Sequence, residues 1–270
     1  MIEAVASQAE RFETACGDGV LVWRRWGSGK PLVLLHGGTG SWTHWIRNVL
    51  PLSTAHEVWV PDMPGFGESA APPKGSGIGA IAGIVADGID RLVREPVRLV
   101  GFSFGGLVAG NLAAARPELV RRLVLVGAGG LGLREGKKLP LVAWRHLKDA
   151  AERSQAHRHN LANLMLCEAS SIDALALHIQ SRNAERSRIN SGPFSRGDTL
   201  LEPLSRVRAP VAGIWGRHDT TVGDRLAEVG PLLRRACADA SLDIVEDAGH
   251  WVAYERSAAF NLLLARIVTK

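Results

Sequence analysis

The stretch that decides the fold is Val97–Gly106, which reads VRLVGFSFGG. Its first four residues follow the apolar pattern of a buried strand, and a helical pattern, Leu107–Ala115, begins directly after it. Between the two, Ser103 has one glycine two positions before it and another two positions after it. A serine in this context occupies a turn so tight that only small residues fit around it, and the turn exposes its hydroxyl above the sheet. An ordinary glycine-rich turn is the alternative, but the strand before and the helix after favour a nucleophile.

Six mostly apolar runs predict strands that are covered on both faces. They are Pro31–Leu35, Val58–Val60, Val97–Val100, Leu123–Val126, Val211–Trp215 and Leu242–Val245. Before them, Phe12–Cys16 and Val20–Trp26 flank the turn Gly17–Gly19, a pattern that is typical of a β-hairpin. Helical patterns lie between strands or after the last one, at Ser41–Leu50, Ile78–Glu95, Leu107–Ala115 and Tyr254–Val268. This alternation predicts an α/β fold with a mostly parallel sheet flanked by helices.

One interval interrupts the alternation of strands and helices. Residues 131–200 contain several amphipathic helical stretches and no strand pattern. We expect this segment to form an inserted helical cap, and residues 1–130 and 201–270 to form the α/β core. Ligands of open α/β sheets bind beyond the carboxyl ends of the strands. We therefore expect the binding site at that edge, beneath the cap.

The composition excludes several classes of protein. The 270 residues are 46% hydrophobic and 22% charged with a net charge of +5, so disorder, collagen and coiled coil do not fit. Basic residues are interspersed with acidic ones, which argues against a nucleic-acid partner. No apolar run is long enough to span a membrane, and the N-terminal residues lack the pattern of a secretory signal. The separated cysteines Cys16, Cys167 and Cys237 match neither a disulfide framework nor a zinc site, so we expect a cytoplasmic protein without metal or cofactor.

A serine hydroxyl is a weak nucleophile unless a base accepts its proton and a third group orients that base. Of the nine histidines, His250 follows a predicted buried strand close before the final helical pattern. Asp219 follows another buried strand, so its carboxylate would lie at the same edge of the sheet. Asp243 and Asp247 compete for this role, but the first lies within a strand pattern and the second is too close in sequence to His250. We therefore expect Ser103, Asp219 and His250 to form a catalytic triad.

Two further motifs accompany these residues: His36–Gly38 (HGG) after an early strand, and Asp62–Ser69 (DMPGFGES) after the next one. Together with the order serine, aspartate, histidine, they resemble the α/β-hydrolase family over nearly the whole chain. The resemblance implies the α/β-hydrolase fold and an oxyanion hole made by the backbone N–H groups of Gly38 and Phe104. Haloalkane dehalogenases and epoxide hydrolases of this fold use an aspartate nucleophile, so the serine makes those activities poor candidates.

Two segments, His178–Arg182 and Gly249–Trp251, are similar to the meta-cleavage product hydrolases, which cleave carbon–carbon bonds in dienoates from aromatic degradation. In that subfamily a cap arginine binds the substrate carboxylate, and Arg182 is the matching residue here. An arginine suits this task because its planar guanidinium can donate two parallel hydrogen bonds to a carboxylate. The chain departs from the subfamily where Phe102 replaces an asparagine and where Gly38–Gly40 replaces a longer glycine-proline loop.

These observations predict a serine hydrolase that cleaves a small aromatic or apolar ester through an acyl-enzyme. Carbon–carbon hydrolysis of a dienoate, or a non-catalytic ligand-binding role, stays open as an alternative. We expect Trp42, Trp251 and Phe102 to line an apolar substrate pocket, although aromatic residues at helical spacing are also typical of a core. The expected partner is a small-molecule substrate, and a homodimer is an open expectation because dimers are common in this fold.

Overall fold

Eight strands form one sheet in this computed structural model, which describes residues 1–133 and 139–269. They are β1 (Glu10–Cys16), β2 (Gly19–Trp26), β3 (Lys30–Leu35), β4 (His56–Pro61), β5 (Val97–Phe102), β6 (Val120–Val126), β7 (Val211–Gly216) and β8 (Ser241–Val245). Their order across the sheet is β1-β2-β4-β3-β5-β6-β7-β8. The hairpin β1–β2 and the pair β2–β4 are antiparallel, and all the other neighbours are parallel. The predicted mostly parallel sheet is therefore confirmed.

Burial explains why the central strands are mostly apolar. Every residue of β5 and of β7 is buried, because helices cover both faces of the sheet. In β8, at the edge of the sheet, only Val245 is fully buried. The strands that lead to Ser103 and to Asp219 are thus covered on both faces, whereas the strand before His250 is an edge strand.

Ten α-helices lie within the part of the chain that the structure describes. They are α1 (Ile2–Ala6), α2 (Val49–Ser53), α3 (Ile78–Leu92), α4 (Phe104–Ala115), α5 (Ala150–Asn160), α6 (Ala174–Glu185), α7 (Leu201–Ser205), α8 (Leu226–Ala236), α9 (Val252–Glu255) and α10 (Ser257–Thr269). Short 3₁₀ turns occur at Trp42–Trp45, Pro117–Leu119, Ala169–Ser171 and Gly223–Arg225, and a π-helical turn at Leu161–Met165. The apolar faces of α3, α4 and α8 pack in one buried cluster, and those of α2, α9 and α10 pack in a second one. Across the residues described, no helix is long and apolar enough to cross a membrane.

Two predicted helices differ from the structure in extent. The stretch 41–50 forms a 3₁₀ turn, Trp42–Trp45, and then α2, which begins at Val49; the Trp42 N–H at the start of the turn donates to the Asp62 carboxylate at 2.8 Å. Helix α3 ends at Leu92 rather than at Glu95, since Pro96 disfavours the helical conformation in the residue before it. Both differences lie at helix ends and leave the order of elements unchanged.

The predicted cap is an inserted helical region between β6 and α7. Its described part contains α5, α6 and the π-helical turn, and no strand. Two backbone hydrogen bonds bring its ends together: the Leu200 N–H donates to the Gly130 carbonyl at 2.8 Å, and the Gly132 N–H donates to the Gly197 carbonyl at 2.7 Å. Residues 134–138 of the predicted cap lie outside the described residues.

Candidate active site

Ser103 lies at the turn between β5 and α4 with φ 52° and ψ −114°. This conformation is unfavourable for a residue with a side chain and persists only where the surrounding structure enforces it. A Cβ at Gly105 would lie 2.5 Å from the carbonyl oxygens of Leu35 and His36, and a Cβ at Gly101 would collide with the backbone of Gly105. The spacing of the two glycines around the serine is therefore required by the close approach of neighbouring backbone.

His250 and Asp219 lie in the loops that follow β8 and β7. The Nε2 atom of His250 is 2.9 Å from Oγ of Ser103, and its Nδ1 atom is 2.9 Å from Oδ2 of Asp219. A carboxylate only accepts hydrogen bonds, so Nδ1 is the donor to Asp219. Nε2 of an uncharged ring is then free to accept the hydrogen of the Ser103 hydroxyl. The structure thus brings the three predicted residues into one continuous chain of hydrogen bonds.

Thr221 holds the carboxylate of Asp219 through its second oxygen, Oδ1. Its backbone N–H and its hydroxyl both donate to Oδ1 of Asp219, at 2.9 and 2.7 Å. The carboxylate cannot rotate away from the imidazole without losing these bonds. Sequence reasoning missed Thr221, although an aspartate that accepts from the residue two positions later is a common turn.

Gly38 and Phe104 line the same cavity as Ser103. Neither backbone N–H donates to an acceptor within the residues described. Phe104 is the first residue of α4, where N–H groups have no partner inside the helix and the helix dipole favours negative charge. Gly38 is in the loop after β3, where a side chain would collide with the Ser191 hydroxyl. Two unused donors therefore lie beside the candidate nucleophile.

Two buried histidines hold Gly37, the residue whose carbonyl shares a peptide group with the Gly38 N–H. Nδ1 of His36 donates to the Gly37 carbonyl at 2.8 Å, while its Nε2 accepts from the Met63 N–H at 2.9 Å. Nδ1 of His44 accepts from the Gly37 N–H at 3.2 Å. Each ring accepts a hydrogen bond, which requires its uncharged form. Burial lowers the pKa of His36 and lowers the pKa of His44 well below its usual value.

A cavity of about 230 Å³ lies above Ser103. Its larger apolar side chains are Phe102, Phe104, Leu131, Leu133, Leu141, Leu164, Met165 and Val222. The cap contributes the polar residues Asn190, Ser191 and Ser195, which sequence reasoning missed because no motif marks them. Among the described residues, no arginine or lysine lines this cavity. The described part of the lining is therefore mostly apolar, with uncharged polar groups from the cap.

Arg182, which was expected to bind a substrate carboxylate, lies outside this cavity. Its side chain is 53% exposed on α6 and pairs with Glu185 at 3.2 Å. The next residue, Asn183, is buried and donates to the Thr43 hydroxyl at 3.1 Å. Successive residues of a helix point about 100° apart, so this inward Asn183 turns Arg182 toward solvent. Arg182 therefore does not reach the cavity in which it was expected to bind a substrate carboxylate.

Trp42 and Trp251 also lie outside the cavity, in contrast to the expectation from sequence. Trp42 packs on Trp26, with 5.4 Å between the ring centroids. Trp251 is buried, and its indole N–H donates to the His44 carbonyl at 2.9 Å. The Trp251 ring also packs on the His44 ring, with 5.0 Å between the centroids, so this indole supports the site from behind. Phe102 is the one expected aromatic side chain that does line the cavity.

Within residues 1–133 and 139–269, no group of three or more His, Cys, Asp or Glu side chains could hold a metal ion. All three cysteines are free thiols. Cys167, in the cap, is exposed, yet burial of its sulfur and then the nearby carboxylate of Glu255 raise the pKa of its thiol to about 11. None of the three lines the cavity above Ser103.

Comparison with known proteins identifies the family to which the chain belongs. The sequence profile of the alpha/beta hydrolase fold matches residues 30–257. The chain belongs to this family, and the protein is a hydrolase of the α/β fold.

Individual relatives are similar over nearly the full length of the chain. A 2-hydroxy-6-oxo-6-phenylhexa-2,4-dienoate hydrolase of Burkholderia cepacia is 30% identical over an alignment of 282 positions, gaps included. The alignment covers 97% of this chain and 97% of the relative. Among solved structures, an esterase from Rhodococcus sp. ECU1013 has a TM-score of 0.79 at 24% identity, over 96% of this chain and 98% of that one. A meta-cleavage product hydrolase from Pseudomonas fluorescens IP01 has a TM-score of 0.75 at 23% identity, over 96% and 97%. The two structural matches share the fold with this chain.

Proposed function

We propose that the protein is a serine carboxylesterase for small esters with an aromatic or apolar acyl group. The observation that carries this proposal is the chain of 2.9 Å contacts from Ser103 to His250 and from His250 to Asp219. The two unused N–H groups of Gly38 and Phe104 beside the serine support it. Ser103 would be the nucleophile, His250 the general base and Asp219 the group that orients the base.

In the first half of the proposed reaction, Oγ of Ser103 attacks the ester carbonyl carbon, and Nε2 of His250 accepts the hydroxyl proton. The electron pair of the carbonyl moves to its oxygen, which accepts hydrogen bonds from Gly38 and Phe104. Each such donor contributes roughly 3 to 4 kcal/mol to lowering the barrier. The tetrahedral intermediate then expels the alkoxide, which takes the proton from His250 and leaves as the alcohol.

In the second half, water attacks the acyl-enzyme and His250 accepts a proton from it. Collapse of the second intermediate releases the carboxylic acid, and the proton returns from His250 to Oγ of Ser103. No group other than the triad, the two N–H donors and water takes part. The reaction therefore needs no cofactor.

The described part of the cavity lining is compatible with a neutral ester. A substrate carboxylate buried beside Ser103 would need a cation or several donors, since burying an unpaired charge is costly. The described lining offers the hydroxyls of Ser191 and Ser195 and the amide of Asn190, but no guanidinium or ammonium group. Neutral esters with short or single-ring acyl groups match this lining and the volume of about 230 Å³.

A panel of substrates tests this proposal. Nitrophenyl esters of graded acyl length and a ring-fission dienoate are compared by absorbance, with Ser103→Ala as the inactive variant. Ser205→Ala, at an exposed position, is the matched control. We expect short-chain and benzoyl esters to be cleaved with a burst of nitrophenol, and the dienoate at a kcat/KM at least about a hundredfold lower. A preference for the dienoate would contradict the esterase assignment.

Carbon–carbon hydrolysis is the second candidate, and one specific observation favours it. The dienoate hydrolase of Burkholderia cepacia matches 97% of this chain at 30% identity. In this reaction the dienoate would first ketonise, so that cleavage of the carbon–carbon bond releases a stabilised carbanion for protonation. Loss of the dienoate absorbance by the wild-type protein, and not by Ser103→Ala, would establish it.

A further inference from the structure

Glu255, the last residue of α9, is buried, and its carboxylate accepts four hydrogen bonds from three backbone N–H groups. Oε2 accepts from the Gly249 N–H at 2.7 Å and from the Cys167 N–H at 3.2 Å. Oε1 accepts from Cys167 at 3.0 Å and from the Glu168 N–H at 2.8 Å. Gly249 directly precedes His250, whereas Cys167 and Glu168 belong to the cap. One carboxylate therefore ties the loop of the candidate base to the cap.

Two more hydrogen bonds join the same cap segment to the loops of the candidate triad. The Trp251 N–H, directly after His250, donates to the Met165 carbonyl at 2.7 Å. The Thr220 hydroxyl, directly after Asp219, donates to the Leu164 carbonyl at 3.1 Å. The segment 161–168 thus contacts the loops on either side of the imidazole.

The cap segment also contacts the space where a substrate would lie. Leu164 and Met165 both line the cavity above Ser103. They end the π-helical turn Leu161–Met165, and such turns are rare and occur often at functional sites. The same short segment therefore forms part of the cavity wall and holds the loop of His250.

Burying a carboxylate without a neighbouring cation costs free energy, which argues against a purely structural contact. No ion pair of Glu255 with a lysine, arginine or histidine occurs among the described residues, and its oxygens accept from the N–H groups of Gly249, Cys167 and Glu168. Hydrogen bonds to an ionised acceptor are shorter and about twice as strong as neutral ones. Such an acceptor can hold two chain segments at a fixed distance where a neutral side chain would allow movement.

We propose that Glu255 is a positioning residue that acts through His250, by fastening the loop of the base to the cap segment 161–168. This inference rests on the proposed function, since it assigns Glu255 to the same serine hydrolase site. Glu255 contacts neither the cavity nor the reacting atoms. It keeps Nε2 of His250 within hydrogen-bonding distance of the Ser103 hydroxyl while the cap wall contacts the substrate.

The variant Glu255→Gln tests the proposal because its amide nitrogen would face an N–H donor. The matched control is Glu246→Gln, at an exposed residue that lies three positions before Gly249 and pairs with Arg217. Active sites are counted with a fluorophosphonate, and kcat for a nitrophenyl ester is expressed per counted site. Misplacement of a catalytic group by about 1 Å costs on the order of a hundredfold in rate. We expect kcat per site to fall by about ten- to a hundredfold in Glu255→Gln, with KM within about threefold.

The outcomes separate positioning from a merely structural role. A structural role would reduce the number of titrated sites and the melting temperature, and would leave kcat per site equal to that of Glu246→Gln. That result would overturn the inference while leaving the proposed function intact. If Glu255→Gln does not fold, Glu255→Asp keeps the charge but is too short to reach both segments, and it should show the same loss per site. Wild-type protein that reacts with no fluorophosphonate would contradict the proposed function, and the role of Glu255 with it.

Discussion

His36 and His44 bind opposite sides of one residue: Nδ1 of His36 donates to the Gly37 carbonyl, and Nδ1 of His44 accepts from the Gly37 N–H. The Gly37 carbonyl and the Gly38 N–H belong to the same planar peptide group. Fixing the carbonyl therefore also fixes the direction of the candidate oxyanion donor before a substrate binds. Donors that are oriented in advance lower a barrier most, because they need no reorganisation during the reaction.

The variant His44→Phe should lower kcat for ester hydrolysis by about ten- to a hundredfold with little change in KM. The ring would still pack on Phe102 and Trp251, but the Gly37 N–H would lose its acceptor, which costs about 1 to 3 kcal/mol for a buried group. His44→Asn is the matched control, because the amide oxygen can take the place of Nδ1 as acceptor. Steady-state kinetics of both variants check this, and equal losses in both would show that the acceptor is unimportant.

Stability should fall as the pH decreases below about 6.5, the ordinary value for histidine. Burial lowers the pKa of His36 and His44, so below that pH the unfolded chain binds protons that the folded protein does not. The free energy of unfolding is therefore unaffected by these histidines above the pKa of histidine in the unfolded chain. Below that pKa it falls with decreasing pH, by up to about 1.4 kcal/mol per pH unit for each histidine. Urea unfolding of the wild type and of His44→Asn at about pH 7.5 and 5 measures this. The variant should lose less stability between the two conditions, and an equal loss would contradict the assignment.

Thr221→Val should lower kcat by roughly three- to tenfold, since the hydroxyl donates to Oδ1 of Asp219 at 2.7 Å and valine has nearly the same shape. The backbone N–H of residue 221 remains as a donor, so the effect should be smaller than the loss of Asp219 itself. Thr54→Val, at an exposed threonine, is the control. Rates of fluorophosphonate labelling would reveal the difference, and identical rates in both variants would remove Thr221 from the account.

Arg182→Ala should change kcat/KM by less than about twofold for both neutral and carboxylate-bearing substrates. The guanidinium is on the outer face of α6 with Glu185, and an exposed ion pair of this kind contributes about 0 to 1 kcal/mol. Parallel kinetics on a neutral ester and on a dicarboxylic half-ester would check this. A selective loss on the charged substrate would mean that Arg182 reaches the substrate after all.

The sequence predicted the sheet and the order of the candidate triad because both are dictated by short-range constraints. Covered parallel strands must be mostly apolar, as β7 is throughout and β5 is apart from the buried Arg98. The turn at Ser103 must have glycines two positions away, because any side chain there would collide with backbone. Constraints of this kind are visible in a single sequence.

The cap and the support of the site could not be predicted in the same way. The outward direction of Arg182 depends on which face of α6 is buried, and the contact of Asn183 with Thr43 decides that face. Glu255 shows the same limit, since two of its three N–H donors, those of Cys167 and Glu168, are 88 and 87 residues away from it in the chain. Contacts over such distances leave no local pattern in the sequence.

The central claim is that Ser103 is activated by His250. Mass-spectrometric mapping of a fluorophosphonate adduct tests it most directly, on the wild type and on Ser103→Ala and His250→Ala. The account predicts one adduct on Ser103 in the wild type, none in Ser103→Ala, and labelling slowed by about a thousandfold or more in His250→Ala. An unlabelled wild type, or equally fast labelling after removal of the imidazole, would contradict it.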